Sequence, residues 1–368
     1  MNPIVEINNN KDSLDFTLKG VNVSLANAIR RTILSDIPIM VFRTTPNEKN
    51  KANIIHNTSR LNNEIIKQRL SCIPIHISDL DFPYKDYLLE VNVENTTDTT
   101  IFVTTKDFMI KNTVNDTYIA ESRLREIFPA NDYTGYFIDF IRLRPKISDE
   151  IPGEKIHLTC ALDIGSAKED GMFNVVSTCS YGYTVDTVMQ EMELEKKKQQ
   201  WKDEGKDVKF EAANWKLLDG QRITVRDSFD FSIQSLGIYD NAELLNMACN
   251  IIIKRLEDID TLIEKDELEI SKSQNTMSNC FDIILENEDY TIGKVLEYIL
   301  YAKFYETGIL TFCGFKKMHP HDTYSIIRVA YKESSDKPVV KGHLKDSIND
   351  AKEVFRKIKK EFLKLVKD

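Results

Sequence analysis

The feature that most limits what this chain can fold into is the stretch Val21–Pro38, VNVSLANAIRRTILSDIP. Leu25, Ala28, Ile29, Ile33 and Ile37 recur at three- and four-residue steps, so they share one helical face that must be buried against another layer. Ser24 or Asn22 can accept hydrogen bonds from the first free backbone N–H groups, and Pro38 marks the stop. Arg30 and Arg31 lie about 100° apart around such a helix, so at least one points away from the core. By period alone this is a capped, amphipathic core helix with solvated arginines.

The following stretches supply partners for that face. Residues 3–7 and 14–18 read as strands around the polar turn Asn8–Asp12, and Ile39–Arg43 as a buried strand. Asn62 is placed to cap a short helix carrying Ile65, Ile66 and Leu70, after which Pro74 enforces an extended segment. Tyr84–Val103 holds two alternating runs around polar Asn95–Asp98, a hairpin pattern. Phe137–Leu143, Ile156–Ile164 and Val175–Tyr183 add strands, with turns at Pro152-Gly153 and near Gly171. Glu191–Glu211 sets seven acids against six lysines, the balance of a solvated helix or a mobile insertion rather than of a nucleic-acid patch. Asp227–Ile233 is strand-like. Asn241–Ile263 is a long helix with an apolar stripe through Leu244, Leu245, Met247, Ile251, Ile252, Leu256, Ile259 and Ile263. Glu264–Asn279 reads as a polar linker.

A smaller version of the pattern then restarts. Phe281–Leu285 is a short strand, and Thr291 can cap a helix carrying Ile292, Val295, Leu296, Ile299 and Leu300. Gly308–Phe315 and Tyr324–Tyr331 are strands. The last helix places Ile348, Ala351, Phe355, Ile358, Phe362 and Leu365 on a heptad-like seam suited to lying along another helix.

With 368 residues, 42% hydrophobic and 29% charged, the chain can build two or three cores. Its net charge of −9 opposes a generally nucleic-acid-coating surface. No apolar run is long enough to span a membrane, and MNPIVEINNN lacks the pattern of a secretory signal. The six cysteines, at 72, 160, 179, 249, 280 and 313, form no CxxC pair and read as free thiols in a reducing compartment. No Gly-rich phosphate loop, HExxH or GxSxG occurs. The one cluster with ligand or nucleophile chemistry is His319-Pro320-His321 with Cys313, and Pro320 breaks helical ligand spacing there.

Several of these stretches resemble a known family. SLANAIRR followed by a spacer and IP is similar to the first helix of the alpha-like subunits of DNA-dependent RNA polymerase: bacterial alpha, archaeal D and L, and the eukaryotic third and eleventh subunits. IIHNTSRLNNEIIKQRLSCIPI resembles the family's next block through Asn57, Thr58, Ser59, Leu61, Glu64, Arg69, Leu70 and Pro74, with Asn63 where an aspartate is common. Gly153–Ile156, Gly165 and Ala167-Lys168 loosely resemble an insert loop. In the last segment NEDYTIG (287–293) resembles the small alpha-like subunit's NEDHTLG, with Tyr290 for histidine, and GFKKMHPHD (314–322) resembles its GYxxxHP.

The resemblance implies both alpha-like subunits fused head to tail, as in large cytoplasmic DNA viruses. The implied fold is α+β: two alpha-like dimerisation units, each a mixed sheet with packed helices, related by a pseudo-two-fold, with a β-rich insert in the first. The implied organisation is 1–75 and 225–275 for the large dimerisation domain, 76–190 for the insert, 191–224 for a charged loop and 276–368 for the small half. The implied function is a non-catalytic assembly platform that docks the largest and second-largest subunits, with small zinc-bearing subunits nearby and DNA or RNA reached only through the complex. No cofactor and no metal are expected, since Cys160 and Cys179 leave no four-ligand set where many members hold one. The implied interface residues are Ser24, Asn27, Arg30, Arg31, Asn57, Glu64, Arg69, Leu70, Glu288, Thr291, Gly293, Gly314, His319 and Pro320, with Arg30 and Arg31 facing the second-largest subunit. The implied location is a virion and host cytoplasm, or otherwise a soluble intracellular one, with no membrane contact. The rival readings are a stand-alone nucleic-acid-binding clamp and a metal-dependent enzyme using His319 and His321.

Overall fold

The computed structural model describes residues 3–9, 13–148, 150–274 and 277–367. The tip of the turn expected at Asn8–Asp12 and the side chain of Leu365 lie outside what is described. The chain divides into two units, one of Met1–Ile33, Thr178–Gln234 and Asn241–Asp368, the other of Leu34–Ser177 and Ser235–Asp240.

The first unit opens with β1 (Ile4–Asn9) and β2 (Leu14–Lys19), paired antiparallel. α1 (Val23–Ser35) follows and buries Leu25, Ala26, Ala28, Ile29, Thr32 and Ile33. Asn22 meets its first turn, with Oδ1 accepting from the Ser24 N–H at 2.9 Å, so Ser24 is not the cap. Ile37 is buried but lies past the helix end.

The second unit is β-rich. Its strands are β3 (Ile39–Val41), β4 (Ala52–Asn57), β5 (Tyr87–Glu94), β6 (Ile101–Thr104), β7 (Met109–Asn112), β8 (Thr117–Tyr118), β9 (Asp139–Leu143), β10 (Lys155–Ala161) and β11 (Asp163–Gly165). α2 (Asn63–Ser71) and α3 (Glu121–Ile127) belong with them. β4, β10, β5, β7 and β8 form one sheet in that order, while β3 pairs with β11 and β6 with β9. Its core is aromatic at the centre: Phe108 meets Phe128 and Phe140 edge to face, with centroids 5.4 and 5.3 Å apart. Asn62 caps α2 as the sequence suggests, accepting from the Ile65 N–H at 2.9 Å. Ile66 and Leu70 are buried, but Ile65 is exposed, because only one face of this two-turn helix meets the core.

The hairpin expected over Tyr84–Val103 does not form. β5 lies between β10 and β7, and β6 pairs instead with β9. Buried Asn95 accounts for the divergence. Its Nδ2 donates to the Thr99 carbonyl at 2.8 Å and the Leu143 carbonyl at 2.9 Å, which ties the loop to the end of β9. A Cβ added at Gly153 would stand 1.8 Å from the Asn95 carbonyl oxygen, so the turn before β10 lies against this loop only as glycine.

Back in the first unit, β12 (Val176–Val185) lies beside β13 (Thr224–Ser235), giving a sheet of order β1, β2, β13, β12. By contacts residues 34–177 group with the second unit and Thr178–Gln234 with the first, so the division runs through the start of β12. The charged stretch between β12 and β13 folds as α4 (Thr187–Asp203) and α5 (Val208–Leu217), around buried Leu194, Trp201 and Trp215. α6 (Asn241–Glu264) carries its stripe inward at Leu244, Leu245, Ala248, Cys249, Ile252, Leu256, Ile259 and Ile263.

The remainder of the first unit comprises β14 (Ile270–Lys272), β15 (Cys280–Glu286), α7 (Tyr290–Leu300), β16 (Leu310–Lys316), β17 (Tyr324–Tyr331) and α8 (Lys337–Lys367). β14 falls inside the expected linker; buried Leu268 and Ile270 in that polar stretch anchor it as an edge strand on β15. The sheet order is β14, β15, β17, β16, which repeats the order β1, β2, β13, β12 of the other sheet. The expected mixed sheets are not found: every register described is antiparallel, as suits strands joined by short turns or by a helix returning on one face.

α6 and α8 lie along one another. Lys352 Nζ meets Asp260 at 2.7 Å, Arg356 meets Glu257 at 3.1 Å, and Lys359 meets Asn250 at 2.7 Å, so the helices run antiparallel. Between them Ile348, Ala351, Phe355, Ile358 and Phe362 are fully buried. Phe362 reaches Phe16 of β2, ring centroids 5.6 Å apart, and so ties the last helix to the first sheet.

Candidate subunit-docking site

The NEDYTIG segment sits where β15 ends and α7 begins. Asn287 turns the chain with a φ of 57°, a left-handed position that asparagine tolerates. Asp289 then caps α7, its Oδ1 accepting from the Thr291 N–H at 2.8 Å. The cap is therefore Asp289 and not Thr291, because the carboxylate one residue before the helix reaches the free N–H groups while Thr291 is already inside and buried.

Two arginines, one from α1 and one from α6, close on this turn. Arg31 of α1 donates from Nε to Thr291 Oγ1 at 2.8 Å and from an η nitrogen to Asp289 Oδ2 at 2.9 Å. Arg255 of α6 forks onto Glu288, with Nε 3.2 Å from Oε1 and an η nitrogen on Oε2, and both side chains are largely buried. Burial opposes ionisation of Asp289, but the Thr291 amide and hydroxyl and the charges of Arg31 and Arg255 outweigh it and hold its carboxyl below the ordinary range. Arg31 is thus engaged within the chain rather than turned outward beside Arg30. Arg30 is half-buried, with Nε and an η nitrogen 3.0 and 2.9 Å from Asn27 Oδ1. Ser24 and Asn27 lie on the same half-buried side of α1.

Gly293 and Gly314 are packing positions. A Cβ on Gly293 would stand 2.0 Å from the Phe315 ring, so its absence lets β16 close on α7. Tyr290 meets the same ring edge to face at 5.1 Å. A Cβ on Gly314 would press on the Phe312 ring at 2.9 Å. His319 and Pro320 lie in an exposed turn held by Asp322, whose Oδ2 accepts from the His319 N–H at 3.0 Å. The His319 and His321 rings are 5.2 Å apart. Among the described residues no group of three His, Cys, Asp or Glu is arranged to hold a metal ion. Burial pushes the Cys313 thiol up to about 12, as it does those of Cys160, Cys179 and Cys249, which suits inert core thiols rather than nucleophiles.

The motif residues of the second unit hold its loops. Asn57 Nδ2 donates to the Leu61 carbonyl and to Asn63 Oδ1, both at 2.9 Å, and its Oδ1 accepts from the Ser59 hydroxyl at 2.7 Å. Arg69 clamps β9 by donating to the Phe140 and Asp139 carbonyls at 2.7 and 2.8 Å. Leu70 is buried, whereas the Glu64 carboxylate is exposed and pairs with Lys67 at 3.3 Å. Two arginines escaped the sequence reading. Arg255 is flanked by the α6 stripe, where a charge among apolar residues was the available signal. Arg43, at the end of an apolar run, is buried on Asp163 and Glu169 at 2.6 Å each and on the Ile164 carbonyl.

These contacts can now be set beside known proteins. The chain is 28% identical over 292 residues to DNA-directed RNA polymerases I and III subunit rpac1 of Dictyostelium discoideum, covering 69% of this chain and 79% of that one. It is 25% identical over 297 residues to the human RPAC1 subunit of the same enzymes, covering 68% and 83%. DNA-directed RNA polymerase subunit Rpo3 of Pyrococcus furiosus is 43% identical over a shorter stretch of 65 residues, 18% of this chain and 22% of the relative. The sequence pattern of the RNA polymerase Rpb3/Rpb11 dimerisation domain matches residues 15–256, well over half of the chain, and the protein belongs to that family.

Proposed function

We propose that this chain is a non-catalytic subunit of a multisubunit DNA-dependent RNA polymerase, and that it joins both alpha-like units in one polypeptide. The observation that carries the reading is the grip of Arg31 and Arg255 on Glu288, Asp289 and Thr291, across more than 30 residues in one case and more than 250 in the other. The repeated strand order of the two four-stranded sheets and the antiparallel α6–α8 seam support a pseudo-two-fold between a large half and a small half made of 276–368. Tethering replaces a bimolecular encounter by an intramolecular one, with an effective concentration on the order of millimolar for a short linker.

In this reading the platform docks the second-largest and then the largest subunit, with small zinc-bearing subunits beside it and nucleic acid reached only through the complex. Ser24, Asn27 and Arg30 are the outward-facing contact, while Arg31, Glu288, Thr291, Gly293 and Gly314 serve the contact between halves. Asn57, Glu64, Arg69 and Leu70 shape the face of the second unit, and His319-Pro320 forms an exposed turn for a further subunit. A viral origin, with the virion and host cytoplasm as location, rests on the fused arrangement. No described helix is long and apolar enough to cross a membrane.

Affinity purification of the tagged chain from its native source, followed by mass spectrometry, tests the proposal. Stoichiometric recovery of two very large polypeptides without a separate small alpha-like subunit is the expected result. Recovery of a lone monomer or homodimer overturns it and returns the clamp and the histidine-dependent enzyme as the readings to pursue.

A further inference from the structure

The second unit carries two adjoining clefts, of about 570 and 470 Å³, that share Arg144 and Glu154 along their border. Although the chain as a whole has a net charge of −9, four arginines line the first cleft, Arg60, Arg69, Arg142 and Arg144, against two carboxylates, Asp139 and Glu154. Glu154 is buried and neutralises Arg144, accepting from its Nε at 2.6 Å and from its backbone N–H at 2.7 Å. Among the described residues the other three cations have no carboxylate partner. Arg69 is held by neutral carbonyls. Arg142 Cζ stands 4.7 Å from the Phe102 ring centroid, a cation–π contact, and no ion pair of Arg142 is found among the described residues. Arg60 is exposed and has no ion-pair or hydrogen-bond partner among the described residues. The second cleft is walled by Pro145, Ile147 and Ile151, and both isoleucines are more than half exposed.

We propose that the two clefts together dock an acidic peptide segment of a partner protein, with its carboxylates on Arg60 and Arg142 and an apolar side chain against Ile147 and Ile151. Guanidinium forks match carboxylates two bonds at a time, and neighbouring apolar ground gives the segment a second anchor. A nucleic-acid strand fits less well. Asp139 stands exposed in the same cleft, the chain is acidic overall, and the Phe102 face that a base would stack on is covered by Arg142. The cleft shares Arg69 with the docking face of the polymerase reading, but the inference does not rest on that reading.

Fluorescence anisotropy of the full chain with a labelled Leu-Glu-Glu-Leu-Glu-Glu peptide tests it, with a Lys-for-Glu peptide and an oligothymidylate as comparisons. Saturable, salt-sensitive binding of the acidic peptide alone is expected. Arg60→Ala with Arg142→Ala should weaken it about tenfold or more, and Ile147→Ser about threefold, each corresponding to a loss of one modest contact set. Both arginines are exposed, so the melting curve of the double variant should match that of the parent. No saturable binding, equal binding by the double variant, or equal binding of the oligothymidylate overturns the proposal. Failure here together with recovery of the large polypeptides from the native source defeats the acidic-peptide site alone.

Discussion

Two helix pairs stand in the same unit and are held by different means. α6 and α8 meet through full-length apolar stripes, with Ile252 and Leu256 on one side and Ile348, Phe355, Ile358 and Phe362 on the other all buried. Each such side chain contributes roughly 1.5–3 kcal/mol by leaving water. α4 and α5 share one small cluster, Leu194, Trp201 and Trp215, with Val208, Ala212 and Ile223 at its edge. Their remaining surface is laced with local pairs such as Lys196–Glu193 and Lys198–Glu195, which are exposed and add little. The seam joins distant segments and should melt with the whole unit, whereas the charged hairpin closes on itself and should open on its own.

The most disruptive way to test that contrast is Ile358→Asp, which places an unpaired charge in the seam and should cost more than about 4 kcal/mol. Loss of the cooperative melting transition is expected, and a parent-like transition would show the last helix to be peripheral. Arg255→Ala comes next. It strips a largely buried Glu288 of its fork and should lower stability by about 2 kcal/mol in chemical denaturation, with Glu288→Gln in the same background recovering part of the loss. A rank order in which Arg30→Ala costs more than Arg255→Ala would reverse the assignment of which arginine serves the fold.

A smaller effect concerns pH. Asp289 has its carboxyl pKa lowered in the folded protein, so its contribution is fully present above the unfolded carboxylate value of about 3.9 and is lost as pH falls through the lower folded value. Acid titration of the parent and of Asp289→Asn should therefore diverge near neutrality and converge at the acid end. Parallel curves would remove the carboxylate from the clasp. The least global effect is expected from Trp201→Ala, which should speed amide exchange across 187–217 while leaving the main melting transition in place. A large drop in that transition would mean that the hairpin is part of the same cooperative body as the seam.

Periodicity was enough to locate α1, α6, α7 and α8, because a helix that buries one face must write that face into its sequence at every third or fourth residue. It paired β1 with β2 but could not pair every strand. β5 and β6 look like a hairpin but have different neighbours, and the hydrogen bonds of Asn95 to Thr99 and Leu143 hold the loop between them. β14 was hidden in a polar stretch because a three-residue edge strand needs only two buried anchors, Leu268 and Ile270. The same division holds at the clasp. The motif residues Arg31, Glu288 and Thr291 stood out through the family resemblance, and their chemistry was readable as charge and hydrogen-bonding capacity. That Arg31 turns onto Asp289 and Thr291, and that Arg255 completes the grip on Glu288, were decided by tertiary structure alone. A guanidinium finds its partner by distance in space, and no local pattern encodes a contact between residues 31 and 289.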